Sequence, residues 1–208
     1  MMDAAADRSS GNKRFPLLKV PPAEIENAIH QEEIMEELKK YVRTIPDFPE
    51  KGIMFRDITT VVQSAEGFKL AVDTMQDLIK DIKYDAIVGA ESRGFIFSAP
   101  MAYNFGKPLV LIRKKGKLPC ETVSVEYDLE YGSAVLEIHK DALEPGQRVL
   151  FVDDLLATGG TIKAMAELVE KLGATVAGVV VMMELEGLNG RELLKDYPVF
   201  SAVQYEGK

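Results

Sequence analysis

Short apolar runs alternate with segments of helical periodicity over most of the chain. The apolar runs lie at residues 85–90, 108–113, 148–152, 174–185 and 198–205. Helical patterns follow or separate them at residues 93–106, 160–172 and 189–195. Strands that are apolar on both faces and alternate with helices form parallel sheets covered by helices. The pattern therefore predicts an α/β fold with a central, mostly parallel sheet flanked by helices.

The N-terminal part and one central segment depart from this alternation. Residues 1–20 are polar and without period, so we predict a disordered extension there. An amphipathic helix is predicted over 21–43, since proline can open a helix and the apolar positions repeat at helical spacing. Those positions are Ile25, Ile29, Ile34, Leu38, Tyr41 and Val42. A second helix is predicted over 66–82. Residues 114–132 are polar and predicted to be irregular, with a strand at 134–140.

Composition narrows the class of protein. With 208 residues, 47% of them hydrophobic, the chain can form one full-sized domain with its own core. A formal net charge of -8 makes it a poor candidate for non-specific nucleic-acid binding. The single cysteine, Cys120, suits a reducing compartment. We find no signal-peptide or membrane-spanning pattern, and expect a soluble cytoplasmic protein without a nucleic-acid or membrane partner.

The most distinctive chemistry lies in the stretch VLFVDDLLATGGTIKAM, residues 149–165. Asp153 and Asp154 follow an apolar strand, and a small, hydroxylic loop leads into a helix. Glycines let backbone N–H groups approach a ligand, and a helix N-terminus favours an anion. The stretch lacks the P-loop lysine and the G-x-G-x-x-G spacing. We interpret it as a phosphate cradle beside carboxylates that can accept from sugar hydroxyls or hold Mg²⁺ through water. A helix cap and a simple turn are the blander interpretation.

The same stretch resembles the phosphoribosyl-diphosphate motif of the type I phosphoribosyltransferases. Four further segments resemble the adenine phosphoribosyltransferases and occur in that family's order, at residues 46–59, 91–97, 113–119 and 129–132. The resemblance covers roughly residues 41–206. It implies the type I phosphoribosyltransferase fold, with an N-terminal hood and a mobile flap. The chain would then divide into the extension at 1–20, a helix and hood at 21–65, and a core at 66–208 with the flap at about 114–134.

The resemblance also implies a reaction. It is that of a purine salvage enzyme, a pentosyltransferase that converts adenine and 5-phosphoribosyl 1-diphosphate to AMP and diphosphate. Mg²⁺ is the implied cofactor, bound through the diphosphate and water near Asp153 and Asp154 and not directly by the protein. A homodimer is implied, with residues 51–60 and 93–105 facing the partner. By analogy with the family, a cis peptide is predicted between Glu91 and Ser92.

Residue roles carry over from the matching motifs. Glu130 is the implied catalytic residue, a general acid or base for adenine. The implied adenine-binding residues are Met54, Phe55, Arg56 and Leu155. The implied donor-binding residues are Arg93, Lys114, Lys117, Tyr131, Asp153, Asp154, Ala157, Thr158, Gly159, Gly160 and Thr161.

The residues taken alone leave other interpretations open. Phe55 could be an ordinary core residue, Arg93 could only form an ion pair at the sheet edge, and the lysine-rich run could be a solvated face. Another purine, such as hypoxanthine, guanine or xanthine, could replace adenine. A regulator that senses phosphoribosyl diphosphate is the alternative outside enzymes, although the acidic helix at 21–43 does not resemble a DNA-binding module.

Overall fold

A computed structural model describes residues 22–128 and 133–207. The predicted extension at 1–20 and the flap tip at 129–132 lie outside the described residues. The strands are β1 (Arg43–Pro46), β2 (Met54–Asp57), β3 (Ala86–Ala90), β4 (Leu109–Lys114), β5 (Thr122–Asp128), β6 (Ser133–His139), β7 (Arg148–Leu156), β8 (Thr175–Leu185) and β9 (Val199–Tyr205). The helices are α1 (Pro22–Lys39), α2 (Thr59–Gln63), α3 (Ala65–Leu78), α4 (Gly94–Phe105), α5 (Gly160–Lys171) and α6 (Gly190–Leu193), with a 3₁₀ turn at Glu186–Leu188.

Seven strands form the central sheet, in the order β5-β6-β4-β3-β7-β8-β9. The five strands from β4 to β9 in that order run parallel. Strands β5 and β6 are antiparallel to each other, and β6 is antiparallel to β4. The strand–helix alternation produces this arrangement, because a parallel neighbour needs a crossover, which a helix usually provides. The predicted mostly parallel sheet is confirmed.

Both faces of the sheet are covered by apolar side chains. On one face, Met165 and Leu168 of α5 pack in a cluster with Phe151 of β7. On the other face, Met75 of α3 and Phe97 of α4 pack in a second cluster. All five residues of β3 are buried, which explains its continuous apolar run, since a two-sided strand has no solvent face.

The first helix differs from its prediction. Leu38 is fully buried and Met35 packs against the core, but Ile29 is 52% exposed. Ile29 lies at one of the repeating apolar positions, yet it faces solvent in the single chain. Helical spacing identifies a potential face, and within residues 29–39 it is Met35 and Leu38 that reach the core. The helix also ends at Lys39, before the predicted limit at 43.

The central polar segment contains a strand that the sequence analysis missed. Strand β5 occupies residues predicted to be irregular and pairs with β6 along its whole length. Val125 is buried while Glu126 beside it is exposed. Alternation of this kind marks a half-buried strand. It was hidden because only three of its positions are apolar or aromatic, Val123, Val125 and Tyr127.

Other boundaries shift by a few residues. The helix predicted over 66–82 corresponds to α3, which ends at Leu78, and the short α2 before it was not predicted. Strand β7 continues through Asp153 and Asp154 to Leu156, paired with β8, so the two aspartates lie within the strand. Within the described ranges, none of the helices combines the length and the hydropathy needed to cross a bilayer.

Candidate active site

A cavity of about 330 Å³ opens beyond the carboxyl ends of β3 and β7. It is lined by residues 90–93, Lys114 and residues 153–162. Ligands of open α/β sheets bind at this edge, because the loops that follow adjacent parallel strands converge there. Nine of the predicted donor-binding residues therefore meet in one place, namely Arg93, Lys114, Asp153, Asp154, Ala157, Thr158, Gly159, Gly160 and Thr161.

The loop at 157–161 has the geometry expected of an anion cradle. Gly159 has φ = 86°, a left-handed conformation that side-chain-bearing residues rarely adopt. Helix α5 begins at the next residue, Gly160, and its N-cap residue, Gly159, has no side chain with which to cap it. The first-turn N–H groups of a helix have no intrahelical acceptor and lie at the positive end of its dipole. A phosphate placed in the cavity would meet these groups.

The two aspartates differ in their surroundings. Arg93 Nε donates to Asp154 Oδ2 at 2.5 Å, so Asp154 is part of an ion pair at the cavity wall. Asp153 Oδ1 accepts the backbone N–H of Asp154 at 3.0 Å. Burial raises the pKa of Asp153 well above its usual value, and the adjacent charge of Asp154 raises it further. Of the two aspartates, Asp154 is thus charge-compensated, and Asp153 favours its proton.

The turn after β3 connects two sides of the cavity. The peptide between Glu91 and Ser92 is cis, which confirms that prediction. Glu91 Oε2 accepts from Arg113 Nε at 3.1 Å and from the backbone N–H of Lys114 at 3.2 Å. The hydrogen bond from Arg113 lowers the pKa of Glu91 and keeps it ionised. Glu91 therefore anchors the end of β4, from which Lys114 enters the cavity.

A second carboxylate holds the turn that carries the lysines. Glu137 Oε2, a buried group on β6, accepts the backbone N–H of Gly116 at 2.9 Å. Arg113 Nη1 donates to the carbonyl of Lys117 at 3.1 Å. Arg113 and Glu137 were not among the predicted site residues. The available signal was positional: Arg113 and Glu91 both stand at the carboxyl ends of strands, and β3 and β4 are neighbours.

The hood residues lie on the two-stranded sheet β1–β2. Met54 is 40% exposed, and the Phe55 ring contacts the Phe48 ring edge-on at 5.1 Å between centroids. The Arg56 guanidinium lies over the Tyr205 ring, 4.1 Å from its centroid, which is within cation–π range. The contact of Phe55 with Phe48 is an aromatic packing contact. This contact does not test the prediction that a purine stacks on Phe55.

The predicted adenine-binding residues do not all meet at the cavity. Leu155 lines it, whereas Met54, Phe55 and Arg56, all within the described residues, do not. Lys117 is likewise described and absent from the lining. Glu130 and Tyr131 lie outside the described residues. The roles assigned to all these residues stay predictions.

Comparison with known proteins decides the family. A family model for the phosphoribosyl transferase domain matches residues 59–206. An adenine phosphoribosyltransferase of Butyrivibrio fibrisolvens is 62% identical over 174 residues, which are 84% of this chain and 96% of the relative. One from Agathobacter rectalis is 59% identical over 174 residues, 84% of this chain and 100% of the relative. The chain belongs to the adenine phosphoribosyltransferase family.

Solved adenine phosphoribosyltransferases share the fold. The crystal structure from Thermoanaerobacter pseudethanolicus has a TM-score of 0.79 at 50% identity, covering 82% of this chain and 99% of that one. The Saccharomyces cerevisiae enzyme, complexed with D-2,5-dideoxy-2,5-imino-altritol 1,6-bisphosphate and adenine, has a TM-score of 0.76 at 39% identity, covering 82% and 99%. The predicted family and fold class are confirmed. The cavity is thus the candidate active site of an adenine phosphoribosyltransferase family member.

Proposed function

We propose that this cavity catalyses the reaction of adenine with 5-phosphoribosyl 1-diphosphate, giving AMP and diphosphate. One observation carries the proposal: two adjacent aspartates, a helix N-terminus and two cationic side chains are among the groups that line one cavity, in a chain whose relatives bear the name of that enzyme. The substrate has matching parts, since a 5′-phosphate, two ribose hydroxyls and a diphosphate sit on one sugar. The protein is accordingly a purine salvage enzyme of the pentosyltransferase class.

In this proposal the loop at 157–161 binds the 5′-phosphate. The phosphate does not react, so the binding energy there serves to position the ribose. Asp154 and Asp153 accept hydrogen bonds from the ribose hydroxyls. The compensation of Asp154 by Arg93 supports this role, because an ionised carboxylate beside a polyanionic donor needs a nearby cation.

Charge develops on the diphosphate as the bond from C1′ to oxygen breaks. Arg93 and Lys114 lie on the cavity wall, where a preorganised cation would stabilise that charge. A guanidinium has five N–H donors, so the ion pair through Arg93 Nε leaves donors for the diphosphate. Lys117 and Tyr131 of the flap are proposed to join them when the flap closes and excludes water.

Magnesium fits this donor set. Asp153 and Asp154 are adjacent oxygen donors on the cavity wall. Mg²⁺ keeps several waters and is usually shared between one or two carboxylates and substrate phosphates. When bound, the ion would neutralise charge on the diphosphate. The proposed ligands are therefore diphosphate and water, with the two aspartates contacting that water.

Adenine is proposed to bind between Leu155 and the hood residues Met54, Phe55 and Arg56. Leu155 is supported by its place on the cavity wall, and the hood is supported by the resemblance of residues 46–59. Stacking on Phe55 would contribute about 1–3 kcal/mol, as base–aromatic stacks do. Glu130 is proposed to exchange the proton on the imidazole side of adenine as general acid or base.

The proposed assembly is a cytoplasmic homodimer. Several apolar side chains are exposed in the two segments predicted to face a partner, and contiguous exposed apolar surface marks interaction sites. The most exposed is Tyr103 on α4, at 87%. Phe105 follows it at 37%, and Met54 in the hood is 40% exposed.

A diphosphate-release assay tests the reaction and the base together. The purified protein is given 5-phosphoribosyl 1-diphosphate and Mg²⁺ with adenine, hypoxanthine, guanine or xanthine in separate reactions. We expect release with adenine alone. Release with another base would retain the mechanism and reassign the hood. Silence with every base, while the donor still binds, would overturn the proposal in favour of a sensor.

A further inference from the structure

An ion pair between a buried carboxylate, Glu184, and a half-exposed arginine, Arg191, lies outside the cavity lining. Glu184, near the end of β8, is only 2% exposed. It stands level with Leu156 of β7 on one side and Gln204 of β9 on the other. Glu184 is therefore at the sheet edge where the phosphate loop begins. An ionised carboxylate buried at such a position is costly unless it is paired and hydrogen-bonded.

Arg191 provides that pairing with a two-point contact. Its Nε donates to Glu184 Oε1 and its Nη2 to Oε2, both at 2.7 Å. Nη1 donates to the carbonyl of Val199 at 2.9 Å, and the Ser201 hydroxyl donates to Glu184 Oε2 at 2.8 Å. Burial by itself would raise the pKa of Glu184, but the hydrogen bonds from Arg191 and Ser201 outweigh it and lower that pKa. The pair is thus charged and geometrically constrained.

The residue before Arg191 contacts the phosphate loop directly. A Cβ atom on Gly190 would lie 2.3 Å from the carbonyl oxygen of Ala157 and 2.7 Å from Leu156 Cδ1. A Cβ atom on Gly159 would lie 2.8 Å from the carbonyl oxygen of Gly190. The two backbones are in contact at positions where only glycine fits. The position of Gly190 therefore constrains the carbonyl of Ala157 and the left-handed turn at Gly159.

We propose that Arg191 is a positioning residue for the 5′-phosphate loop: its two-point pair with Glu184 holds Gly190 against Ala157 and Gly159. The inference rests on the proposed function, because it takes the loop at 157–161 as the phosphate site. Arg191 is not among the described residues that line the cavity. Its effect on catalysis passes through the backbone of Gly190 and is confined to the phosphate end of the donor.

The chain supplies a matched control at the opposite end of β7. Arg148, the first residue of that strand, donates from Nε and Nη2 to the carboxylate of Asp85 at 3.1 and 2.9 Å. This pair has the same chemistry and the same two-point geometry, but lies far along the strand from the loop at 157–161. The Asp85 side chain is 39% exposed, against 3% for Glu184, so Arg148→Ala reports the loss of an Arg–carboxylate pair away from the loop without leaving a buried charge.

The test measures steady-state kinetics of the full-length enzyme and of R191A, R191K, G190A and R148A. We expect R191A to raise the KM for 5-phosphoribosyl 1-diphosphate about tenfold, a loss of about 1.4 kcal/mol. The KM for adenine should change less than about twofold, since the base end does not depend on Gly190. R191K keeps the charge but not the planar fork, so it should fall between wild type and R191A. G190A should reproduce the selective loss, and R148A should show none.

A direct binding measurement distinguishes a displaced phosphate loop from a loss of folded protein. Ribose 5-phosphate, which carries the 5′-phosphate without the diphosphate, is titrated into each variant by calorimetry beside a thermal melt. The inference expects weaker binding by R191K and G190A at temperatures where both are folded. If R191K and G190A retain wild-type donor KM and ribose 5-phosphate affinity, the inference is overturned. It is also overturned if both substrates lose affinity equally. A wild-type enzyme that forms no AMP would instead overturn the proposed function itself.

Discussion

At the scale of single residues, two buried carboxylates beside the same sheet edge show opposite behaviour. Glu184 is ionised because Arg191 and Ser201 compensate its burial. Asp153 is 7% exposed, and its burial together with the charge of Asp154 raises its pKa. An ionised Asp153 is unfavourable for the ligand-free protein, yet Asp153 lines the cavity. This combination is expected of a residue that serves ligand binding and not stability.

Asp153→Asn is expected to stabilise the ligand-free protein at neutral pH. A carboxyl whose pKa is raised by folding destabilises the fold once ionised, so its cost is absent below the unfolded pKa of about 4 and grows as pH rises through the folded pKa. The Tm gain of the variant over wild type should therefore be larger at pH 8 than at pH 4, while donor affinity falls. Thermal melts at the two pH values measure the first effect.

The control for that prediction has the opposite sign. Asp85 pairs with Arg148, and hydrogen bonds from Arg148 lower the pKa of Asp85 to about 2. Asp85→Asn should therefore lose stability at pH 8 relative to wild type, with a smaller loss as acid protonates Asp85. Equal Tm shifts for the two variants would contradict the assignment of Asp153 as the destabilising carboxyl.

Glu130→Ala is expected to lower kcat by roughly 10²–10⁴ with donor affinity nearly intact, as removal of a general acid or base does. Asp153→Ala should instead weaken donor binding, because its proposed role is contact with the ribose. Single-turnover rates and donor titrations on both variants measure the two effects separately. A parallel loss of donor affinity in Glu130→Ala would contradict its assignment to the proton.

At the scale of elements, one aspartate ties the two hood strands to the helix that follows them. Asp57, the last residue of β2, is 8% exposed. It accepts from Arg43 on β1 at 2.5 Å and from the backbone N–H of Thr59, which starts α2, at 2.9 Å. Its carboxylate therefore joins the two hood strands to each other and to helix α2, which follows them.

Asp57→Asn is expected to destabilise the protein at pH 7 and to change its stability little at very low pH. The hydrogen bond from Arg43 and those from Thr59 lower the pKa of Asp57 to about 2. Its contribution is therefore present above the unfolded pKa of about 4 and is lost as pH falls toward about 2. Loss of charge-assisted hydrogen bonds predicts a cost of about 1–3 kcal/mol, measured by urea denaturation at neutral and acidic pH.

An exposed pair provides the comparison for Asp57. Lys69 and Asp73 form an i,i+4 ion pair on α3 in which both side chains are more than half exposed. Such pairs contribute about 0–1 kcal/mol because water screens them. Asp73→Asn should leave the urea midpoint nearly unchanged. If Asp73→Asn lost as much stability as Asp57→Asn, the buried carboxylate would contribute no more than an exposed one, and the prediction for Asp57 would be contradicted.

At the scale of the whole molecule, we expect two copies of the chain to form a homodimer. The surface of α4 exposes Tyr103 and Phe105, and the hood exposes Phe48 and Met54. These side chains belong to the neighbourhood of the segments predicted to face a partner. The proposed division of the chain at residues 65 and 66 stays a prediction, although Leu38 from the N-terminal side packs in the same cluster as Met75 of α3.

The wild-type protein is expected to sediment at twice the 23.0 kDa of a single chain. Tyr103→Glu should shift it toward the monomer, because a charge placed at the centre of an apolar interface is desolvated without a partner. Ile29→Glu on α1, which is 52% exposed in the single chain, is the matched control and should remain dimeric. Analytical ultracentrifugation measures both. A monomeric wild type, or equal dissociation by both variants, would contradict the proposed interface.

The sequence by itself determined the class of fold and the region of the site. Continuous apolar runs such as 148–152, alternating with helical segments, required a sheet covered on both faces, because a strand with no polar face needs two buried faces. Aspartates, small residues and a helix start in direct succession identified the edge where a phosphorylated ligand would bind. Each of these features lies within a short segment of the chain, so it can be recognised from the order of the residues alone.

Only the tertiary structure decided which distant residues meet. Arg93 pairs with Asp154 across sixty-one positions, and Glu91 anchors Lys114 because β3 and β4 are neighbours. Strand β5 exists because β6 supplies its hydrogen bonds, and Ile29 is exposed while Leu38 of the same helix is buried in the core. Gly190 lies against Gly159, and the next residue, Arg191, pairs with Glu184 on β8. Pairing and close approach depend on strand order and packing, which no short segment of the sequence contains.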